Sequence, residues 1–204
     1  MIVVLGSSIV LGQQLEPLQL PPSQTDIGKP LMQVLKLRQS ARAFAPKPIP
    51  LQELSNLLWA ADGINRPESG KRTAPSAMNW QEVDIYVVLQ QGAYIYDAKS
   101  HCLNPVTAKD LREATGRQAF AIEAPLNMVY VSDRARMTRA GEEDRNIWGA
   151  ADVGFIAQNV YLYCASQDLA AVVRGMVDRE KLALALHLKL DQRIILAQTV
   201  GYPQ

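Results

Sequence analysis

Apolar residues recur every three to four positions in several stretches of the chain, which is the spacing of the buried face of an amphipathic helix. The stripe between Pro50 and Gly63 is made mostly of leucines; Pro50 suits a first helical turn, and Gly63 ends the pattern. We predict helices over residues 31–40, 51–61, 110–115, 142–166 and 178–186.

Other stretches are rich in β-branched and aromatic residues, as strands are. We predict strands over residues 83–89, 93–96, 101–106, 126–131, 169–173 and 194–200. Residues 64–79 carry many Gly, Pro, Asn and Ser residues and are predicted to form a long loop. Because helices and antiparallel strands mix without a repeating strand–helix period, the predicted class is α+β and not a doubly wound fold.

The composition indicates one globular domain with a substantial core. Of 204 residues, 48% are apolar and 20% are charged. The formal net charge of +1 gives no field for nucleic acid or an anionic membrane. No apolar run reaches the roughly 18 residues that span a bilayer. We therefore expect neither a nucleic-acid partner nor a membrane span.

The histidines and cysteines give little indication of a metal site or a disulfide framework. His101 and His187 are far apart and lack ligand-like neighbours, so no metal site is predicted. Cys102 and Cys164 could form at most one bridge. Cys164 lies in a strongly apolar stretch, which favours a small core residue over a disulfide.

Residues 1–29 are predicted to be a signal-like segment followed by an extended arm, and residues 30–204 the single domain. Met1–Gly12 is apolar, and Gln13–Gln24 is polar and contains prolines. A secretory signal or tail is favoured, although a basic leader is missing. The alternative, a dinucleotide-binding strand with a glycine turn, is disfavoured because the following residues are extended and not helical. The compartment stays open: periplasmic or secreted with a signal, otherwise cytoplasmic.

The first candidate site is a cluster of Arg38, Ser40 and Arg42 at the end of the predicted helix 31–40. Arginine suits bidentate capture of phosphate oxygens, and a serine hydroxyl completes such a site. The alternative is a solvated basic helix end that interacts favourably with the helix dipole.

The second candidate lies in the segment Arg72–Gln81. Pro75 and Ser76 could begin a helix whose free N–H groups face a ligand. Asn79 offers a donor and an acceptor that suit the edge of a planar heterocycle. A capped surface turn is the alternative.

Two further features lie later in the chain. Residues 148–166 are apolar on nearly every face and carry many small residues, so this helix is predicted to be buried all round, either as a core helix or against a second subunit. Gly175 follows a predicted strand and lets a ligand atom approach the backbone. Beside it, Arg174 is either a cation close to an electron-rich ligand or a plain surface arginine.

These motifs, in this order, resemble the FMN-dependent nitroreductase superfamily. They are Arg-x-Ser-x-Arg, Pro-Ser-Ala-x-Asn-x-Gln, a buried Gly/Ala-rich helix with Gln158-Asn159, Val-Val-Arg-Gly, and a terminal Val-Gly-Tyr-Pro. The resemblance covers about residues 30–203 and is nearest to the short branch grouped with azoline-forming oxidases. It implies an α+β sandwich with a central, mostly antiparallel sheet flanked by helices, and an intertwined homodimer with FMN at its interface.

The resemblance also implies roles for individual residues. Arg38, Ser40 and Arg42 would hold the phosphate and ribityl chain of FMN. Four residues of the partner subunit would border the flavin ring: Pro75, Ser76, Ala77 and Asn79. Arg174 and Gly175 would lie near the redox edge of the ring, and Gln118 is a further polar candidate. Many members continue past Gly-Tyr-Pro with basic residues that contact the phosphate, whereas this chain stops at Gln204, so a thinner phosphate clamp is expected.

The activity implied by the resemblance is NAD(P)H-driven, two-electron reduction of an electron-poor small molecule, such as a nitroaromatic or quinone, by ping-pong hydride transfer. No side chain is assigned as a catalytic acid, because water or the flavin can supply protons. Two alternatives stay open. One is a non-enzymatic flavin-binding subunit of a complex, and the other is an FMN oxidase or dehydrogenase that acts on an organic or peptide substrate.

Overall fold

A computed structural model describes residues 15–204, and the prediction for Met1–Gly12 lies outside them. The helices are α1 (Leu31–Leu37), α2 (Leu51–Asp62), α3 (Phe120–Glu123), α4 (Glu142–Ser166) and α5 (Arg179–Ala185). The strands are β1 (Leu18–Gln19), β2 (Phe44–Ala45), β3 (Ile64–Arg66), β4 (Lys71–Arg72), β5 (Val83–Leu89), β6 (Gly92–Asp97), β7 (Cys102–Thr107), β8 (Leu126–Asp133), β9 (Ala170–Arg174) and β10 (Gln192–Pro203). Three 3-10 turns cover Ala77–Asn79, Glu113–Thr115 and Arg134–Arg136.

One eight-stranded sheet organises the domain. Its order is β1-β7-β6-β5-β8-β10-β2, and β9 pairs with β10 alongside β2. Each pairing found among the described residues is antiparallel. β10 is long enough to pair with β8 through its first part, with β9 near its end and with β2 at its last residues. The predicted α+β class with a mostly antiparallel sheet is therefore confirmed.

Helices cover both faces of this sheet. Within β5, Val83, Ile85 and Val87 pack on the side that carries α2 and α4. Tyr86 and Val88 pack on the opposite side against α5. Because successive side chains of a strand point to opposite faces, an almost continuous apolar run is what a doubly covered strand requires. The result is the sandwich that the resemblance implied.

The predicted helix 110–115 is wrong, since only a 3-10 turn forms over Glu113–Thr115. Side chains bind the local backbone instead: the Asp110 carboxylate accepts the backbone N–H of Arg112 at 3.0 Å, and the Thr115 hydroxyl donates to the Arg112 carbonyl at 2.7 Å. Such contacts compete with helical hydrogen bonds and favour a turn.

Residues 64–79 are more ordered than the predicted loop. β3 and β4 form a small antiparallel hairpin there, and the Ala77–Asn79 turn follows it. The Arg66 guanidinium donates to the Arg72 carbonyl at 2.7 Å and so ties the two strands together. The Gly, Pro, Asn and Ser content predicted a loop here and gave no sign of this local pairing.

The helix predicted over 31–40 ends early, at Leu37. Arg38 is extended (φ −56°, ψ 121°), and the Ala41 N–H donates to the Ala171 carbonyl of β9 at 3.0 Å. A tertiary backbone bond thus overrides helix propensity. The cluster of Arg38, Ser40 and Arg42 lies on an extended segment after the helix and not on its last turn.

The residues that precede Lys29 run along the domain. β1 pairs with β7, and Leu20 is buried in the core beside α2. The backbone N–H of Gln24 donates to the Asn56 side chain at 2.8 Å, and Lys29 forms an ion pair with Asp168 at 2.7 Å. The extended arm is therefore held by specific contacts over its described part.

Both cysteines are buried and free. No described helix is both long and apolar enough to cross a bilayer. Over residues 15–204, no group of three His, Cys, Asp or Glu residues is arranged to hold a metal ion.

Candidate functional site

The extended segment after α1 places its polar groups beside one tyrosine of α4. The Ser40 hydroxyl lies 2.9 Å from the Tyr161 hydroxyl, which also accepts the backbone N–H of Val173 at 2.8 Å. The Arg38 guanidinium stacks over the Tyr161 ring, 5.3 Å from its centroid. Tyr161 therefore joins the segment to the end of β9.

The guanidiniums of Arg38 and Arg42 are available to an anion. Neither takes part in an ion pair formed among residues 15–204, and Arg42 is exposed. The adjacent Ser40 is exposed as well. Two cations and a hydroxyl on one extended segment form an arrangement that suits a phosphate group.

Tyr161 is not among the site residues predicted from the sequence. A tyrosine in the middle of an apolar helix is most often a core residue, and its hydroxyl gives no sign of its partners. The available signal was the hydroxyl itself, because a half-buried tyrosine needs a hydrogen-bond partner. Here it has two, both at the candidate site.

The second candidate segment forms a tight turn and not the predicted start of a helix. The backbone is left-handed at Met78 (φ 50°), Asn79 (φ 55°) and Gln81 (φ 49°), which interrupts helical geometry. The Ser76 hydroxyl accepts the Gln81 N–H at 2.9 Å. Of the N–H groups that the prediction turns toward a ligand, that of Ala77 donates instead to the Asp152 carboxylate of α4 at 2.9 Å.

The groups of this turn that stay accessible are side chains. Pro75, Met78 and Asn79 are exposed, and Met78 keeps 72% of its surface. The Asn79 side-chain oxygen accepts from Gln81 at 3.2 Å. An ion pair between Arg72 and Asp62, together with a 3.0 Å bond from Arg72 to Gln81, ties the base of the turn to α2. The turn thus presents an apolar tip on an anchored base.

Arg174 is buried, so its alternative role as a plain surface arginine is wrong. Its side chain is 4% exposed and donates to the Thr115 carbonyl (2.6 Å), to the hydroxyls of Thr115 (3.2 Å) and Thr199 (2.9 Å), and to the Asn127 side chain (2.7 Å). Burial lowers the pKa of Arg174 to about 10, which leaves it charged near neutral pH. A Cβ at Gly116 would lie 1.7 Å from this guanidinium, so glycine is required there.

Gly175 and Gln118 border an open surface next to this buried arginine. Gly175 is exposed, and a Cβ there would meet only Leu196, at 3.9 Å. The Gln118 amide lies 3.7 Å from the Met176 sulfur, whereas its buried side-chain oxygen has no hydrogen-bond partner among the described residues. Gln118 also lines a cavity of about 340 Å³ with Arg117 and Lys181. The backbone at Gly175 is therefore accessible from this side.

The candidate segments do not all meet within one chain. The turn contacts Asp152 and the Arg38–Ser40 segment contacts Tyr161, and both of these residues are on α4. Asp152 and Tyr161 are nine residues apart along this helix, which corresponds to about two and a half turns and a rise of roughly 13 Å. The two side chains therefore project from opposite sides of the helix. The Arg38–Arg42 segment and β9 are neighbours, while the Ser76–Asn79 turn lies elsewhere.

One face of α4 is exposed in the single chain, so the described residues alone do not bury this helix all round, and its burial against a second subunit stays a prediction. Val153, Ile156 and Val160 face the core, whereas Ile147, Trp148 and Phe155 are 53%, 45% and 47% exposed. The apolar residues of α4 thus form two faces of the helix. One face packs against the sheet, and the other is open to solvent in the single chain. Exposed apolar side chains of this kind suit contact with another protein surface.

The fold and the order of these segments define a nitroreductase-type protein. The model of the nitroreductase family matches residues 35–202. The chain belongs to the nitroreductase family, which supports an oxidoreductase enzyme.

Individual relatives agree with this assignment. A candidate nitroreductase from Methanocaldococcus jannaschii is 32% identical over 84% of this chain and 90% of its own length. The crystal structure of a candidate nitroreductase from Ralstonia eutropha JMP134 is 44% identical, covers 95% of this chain and 92% of that chain, and has a TM-score of 0.90. An NADPH:FMN oxidoreductase from Vibrio harveyi, complexed with NAD⁺, shares the fold at 20% identity, with 85% and 69% coverage and a TM-score of 0.65.

Proposed function

We propose that this protein is an FMN-dependent oxidoreductase that uses NAD(P)H to reduce an electron-poor small molecule of the nitroaromatic or quinone type. The observation that carries the proposal is that the guanidiniums of Arg38 and Arg42, beside Ser40, form no ion pair among residues 15–204 and lie on a segment joined through Tyr161 to the end of β9. Family membership supports redox chemistry, and the name of the Vibrio harveyi relative pairs FMN with NADPH.

The chain's own residues fit a flavin mononucleotide. Arg38 and Arg42 supply charge for the phosphate, and Ser40 supplies a hydroxyl, with the Tyr161 hydroxyl within reach of the same group. The open backbone at Gly175 leaves space for a planar ring, because no side chain projects there. Bound FMN would supply hydride exchange between a nicotinamide and an acceptor.

Arg174 acts from beneath this surface in the proposed site. All of its described contacts are to neutral acceptors, so its positive charge is not cancelled by a carboxylate. A fixed, buried cation favours negative charge nearby more strongly than an exposed one would. We assign to Arg174 both the bracing of β9 and an electrostatic contribution to the ring edge.

The proposed assembly is a homodimer in which Pro75, Ser76, Ala77 and Asn79 of the partner subunit border the ring. Two observations support it: the phosphate segment and the Ser76–Asn79 turn lie on opposite sides of α4, and α4 carries an exposed apolar face. Gly154 has open space around its missing side chain, so another backbone could approach it closely.

The test begins with the visible spectrum of the purified protein, reconstituted with FMN if it is colourless. The proposal predicts a flavin spectrum that bleaches on anaerobic addition of NADH or NADPH and recovers on addition of a quinone or nitroaromatic. Bound FMN that neither nucleotide bleaches would favour a flavin-binding subunit. Peroxide production with an organic substrate would favour an oxidase. Failure to bind FMN would refute the proposal.

The shared site has its own test, because two defective chains can complement each other. Arg38→Ala/Arg42→Ala chains and chains with Asn79→Ala/Met78→Ala are each expected to bind FMN poorly. Mixed dimers should contain one site with neither defect and regain part of the binding. Recovery on mixing would not occur if all these residues served a site within one chain.

A further inference from the structure

The Tyr161 hydroxyl contacts two polar groups that are far apart in sequence. It accepts the backbone N–H of Val173 in β9 at 2.8 Å, and it lies 2.9 Å from the Ser40 hydroxyl on the extended segment after α1. Among residues 15–204 these are its two hydrogen bonds. Tyr161 is half-buried, whereas Ser40 is exposed. The bonds therefore lead from the edge of the sheet to a surface that an anion can reach.

The direction of the hydrogen bond between the two hydroxyls follows from the Val173 contact. A backbone N–H can only donate, so the Tyr161 oxygen is the acceptor of that bond, and the Tyr161 proton is used elsewhere. If Ser40 donated to Tyr161, this proton would have no acceptor among the described residues. A half-buried donor without an acceptor costs free energy. We infer that Tyr161 donates to Ser40.

This direction leaves the proton of the Ser40 hydroxyl available to a ligand. The donors run in one chain from the Val173 N–H through Tyr161 to Ser40, which is the exposed end. Hydrogen bonds in such a chain polarise one another, so the last hydroxyl becomes a better donor. A negatively charged oxygen gains most from such a donor, because hydrogen bonds to charged groups are the stronger ones.

The ring of Tyr161 contacts a second group of the same segment. The Arg38 guanidinium lies over the ring, 5.3 Å from its centroid. One side chain thus contacts Arg38 through its ring face and Ser40 through its hydroxyl. Ordering a long side chain costs free energy on binding, and contacts that order it beforehand reduce this cost.

The other end of the chain of hydrogen bonds is fixed by the sheet. β9 pairs with β10 along one edge, and on the other edge the Ala171 carbonyl accepts the Ala41 N–H at 3.0 Å. Backbone groups two residues apart on a strand point to the same edge. Val173 therefore shares this edge with Ala171, and Gly175 follows it directly. The Arg38–Arg42 segment is attached at two points to the edge that leads to Gly175.

Resting on the proposed function, we propose that Tyr161 is a positioning residue for the phosphate of FMN and that it acts through Ser40. Its hydroxyl directs the Ser40 proton outward, and its ring holds the Arg38 guanidinium beside that proton. The bond to Val173 sets the distance of both groups from Gly175 at the ring end of the proposed site. Tyr161 itself does not contact the phosphate in this arrangement.

The test is a double-mutant cycle on the FMN dissociation constant with Tyr161→Phe and Ser40→Ala. The phenylalanine variant keeps the ring under Arg38 and removes only the hydroxyl. It should weaken FMN binding by about 2- to 12-fold, the range that one neutral hydrogen bond contributes. In Ser40→Ala protein the same change should have less than about a twofold further effect, because Tyr161 acts through Ser40. Effects that multiply would overturn the proposal.

Riboflavin separates positioning of the phosphate from packing of the site. It carries the same ring and no phosphate, so Tyr161→Phe should leave its affinity unchanged while FMN binds more weakly. The matched control is Tyr163→Phe, which removes another hydroxyl of α4, the one that donates to the Glu53 carboxylate. This control should leave the affinities for both flavins unchanged. Equal losses for FMN and riboflavin in Tyr161→Phe would assign Tyr161 to packing and overturn the proposal.

Inorganic phosphate gives a readout that does not require a flavin. Its binding to cofactor-free protein, followed by phosphorus NMR line broadening, should weaken in Tyr161→Phe and in Ser40→Ala but not in Tyr163→Phe. If the wild type fails to bind FMN but shows this pattern, the proposed function fails and the positioning role stands. If Tyr161→Phe binds FMN and phosphate as tightly as the wild type, the positioning role fails and the proposed function stands. Binding of neither ligand by the wild type would overturn both.

Discussion

Replacing Arg38 or Arg42 with alanine should weaken FMN binding strongly while it barely changes the fold. Arg42 is exposed, and the main described contact of the Arg38 guanidinium is its position over the Tyr161 ring at 5.3 Å. A cation–π contact at an exposed site is worth about 0.5–1 kcal/mol. Each charge-assisted hydrogen bond to a phosphate contributes about 1.5–3 kcal/mol. Loss of one arginine should therefore cost about 2–4 kcal/mol of binding, roughly 30- to 1,000-fold in affinity.

The assay measures melting temperatures of apo and FMN-saturated protein, together with the FMN dissociation constant. Because FMN stabilises the folded state by mass action, wild-type protein should melt at a higher temperature when FMN is added. Each alanine variant should lose most of that increase and leave the apo melting temperature within about 4 °C of wild type, since about 1 kcal/mol shifts Tm by about 2–4 °C in a domain of this size. Lys36→Ala, which removes a nearby cation in the last turn of α1, is the matched control. Equal shifts in apo and holo protein would assign the arginines to packing and refute the reasoning.

Three further predictions concern the core, the dimer and the pH response. Arg174→Met should reduce the free energy of unfolding of apo protein by on the order of 3–5 kcal/mol in urea melts, because it leaves buried acceptors unpaired; a loss below about 1 kcal/mol would show that these hydrogen bonds contribute little. Phe155→Glu should shift the sedimentation coefficient from dimer to monomer while it preserves the far-UV circular dichroism spectrum, and an unchanged dimer would remove the exposed face of α4 from the interface. The pKa of Glu82 is raised from 4.5 to about 7 in the folded protein, so its contribution to stability is complete below about pH 4.5 and is lost as the pH rises through about 7. This loss is on the order of 3 kcal/mol and should be absent in Glu82→Gln.

The fold could be predicted from the sequence wherever the hydrophobic pattern and the tertiary structure agree. The apolar run of β5 and the leucine stripe of α2 each predicted their element, because burial on both faces and burial on one face leave different periodicities. The class followed from the order of these elements. Where prediction failed, as at residues 110–115, a few side-chain to backbone bonds decided the outcome, and such bonds leave no periodicity.

The candidate site could be predicted only in part from the sequence, because some of its residues are defined by tertiary contacts. Arg38 and Arg42 indicate anion binding through the chemistry of the guanidinium group alone. The role of Tyr161 and the burial of Arg174 beside Gly116 depend on contacts between residues distant in sequence. For α4, one apolar pattern corresponds to both a core face and an exposed face, and periodicity does not distinguish them.

The most direct test of the central claim is an FMN titration of the pure apo protein, followed by flavin fluorescence with riboflavin as the comparison ligand. The account predicts saturable binding of one FMN per chain and much weaker binding of riboflavin, which has the same ring but no phosphate for Arg38 and Arg42. Equal affinity for the two flavins would contradict the assigned phosphate site, and binding of neither would contradict the account as a whole.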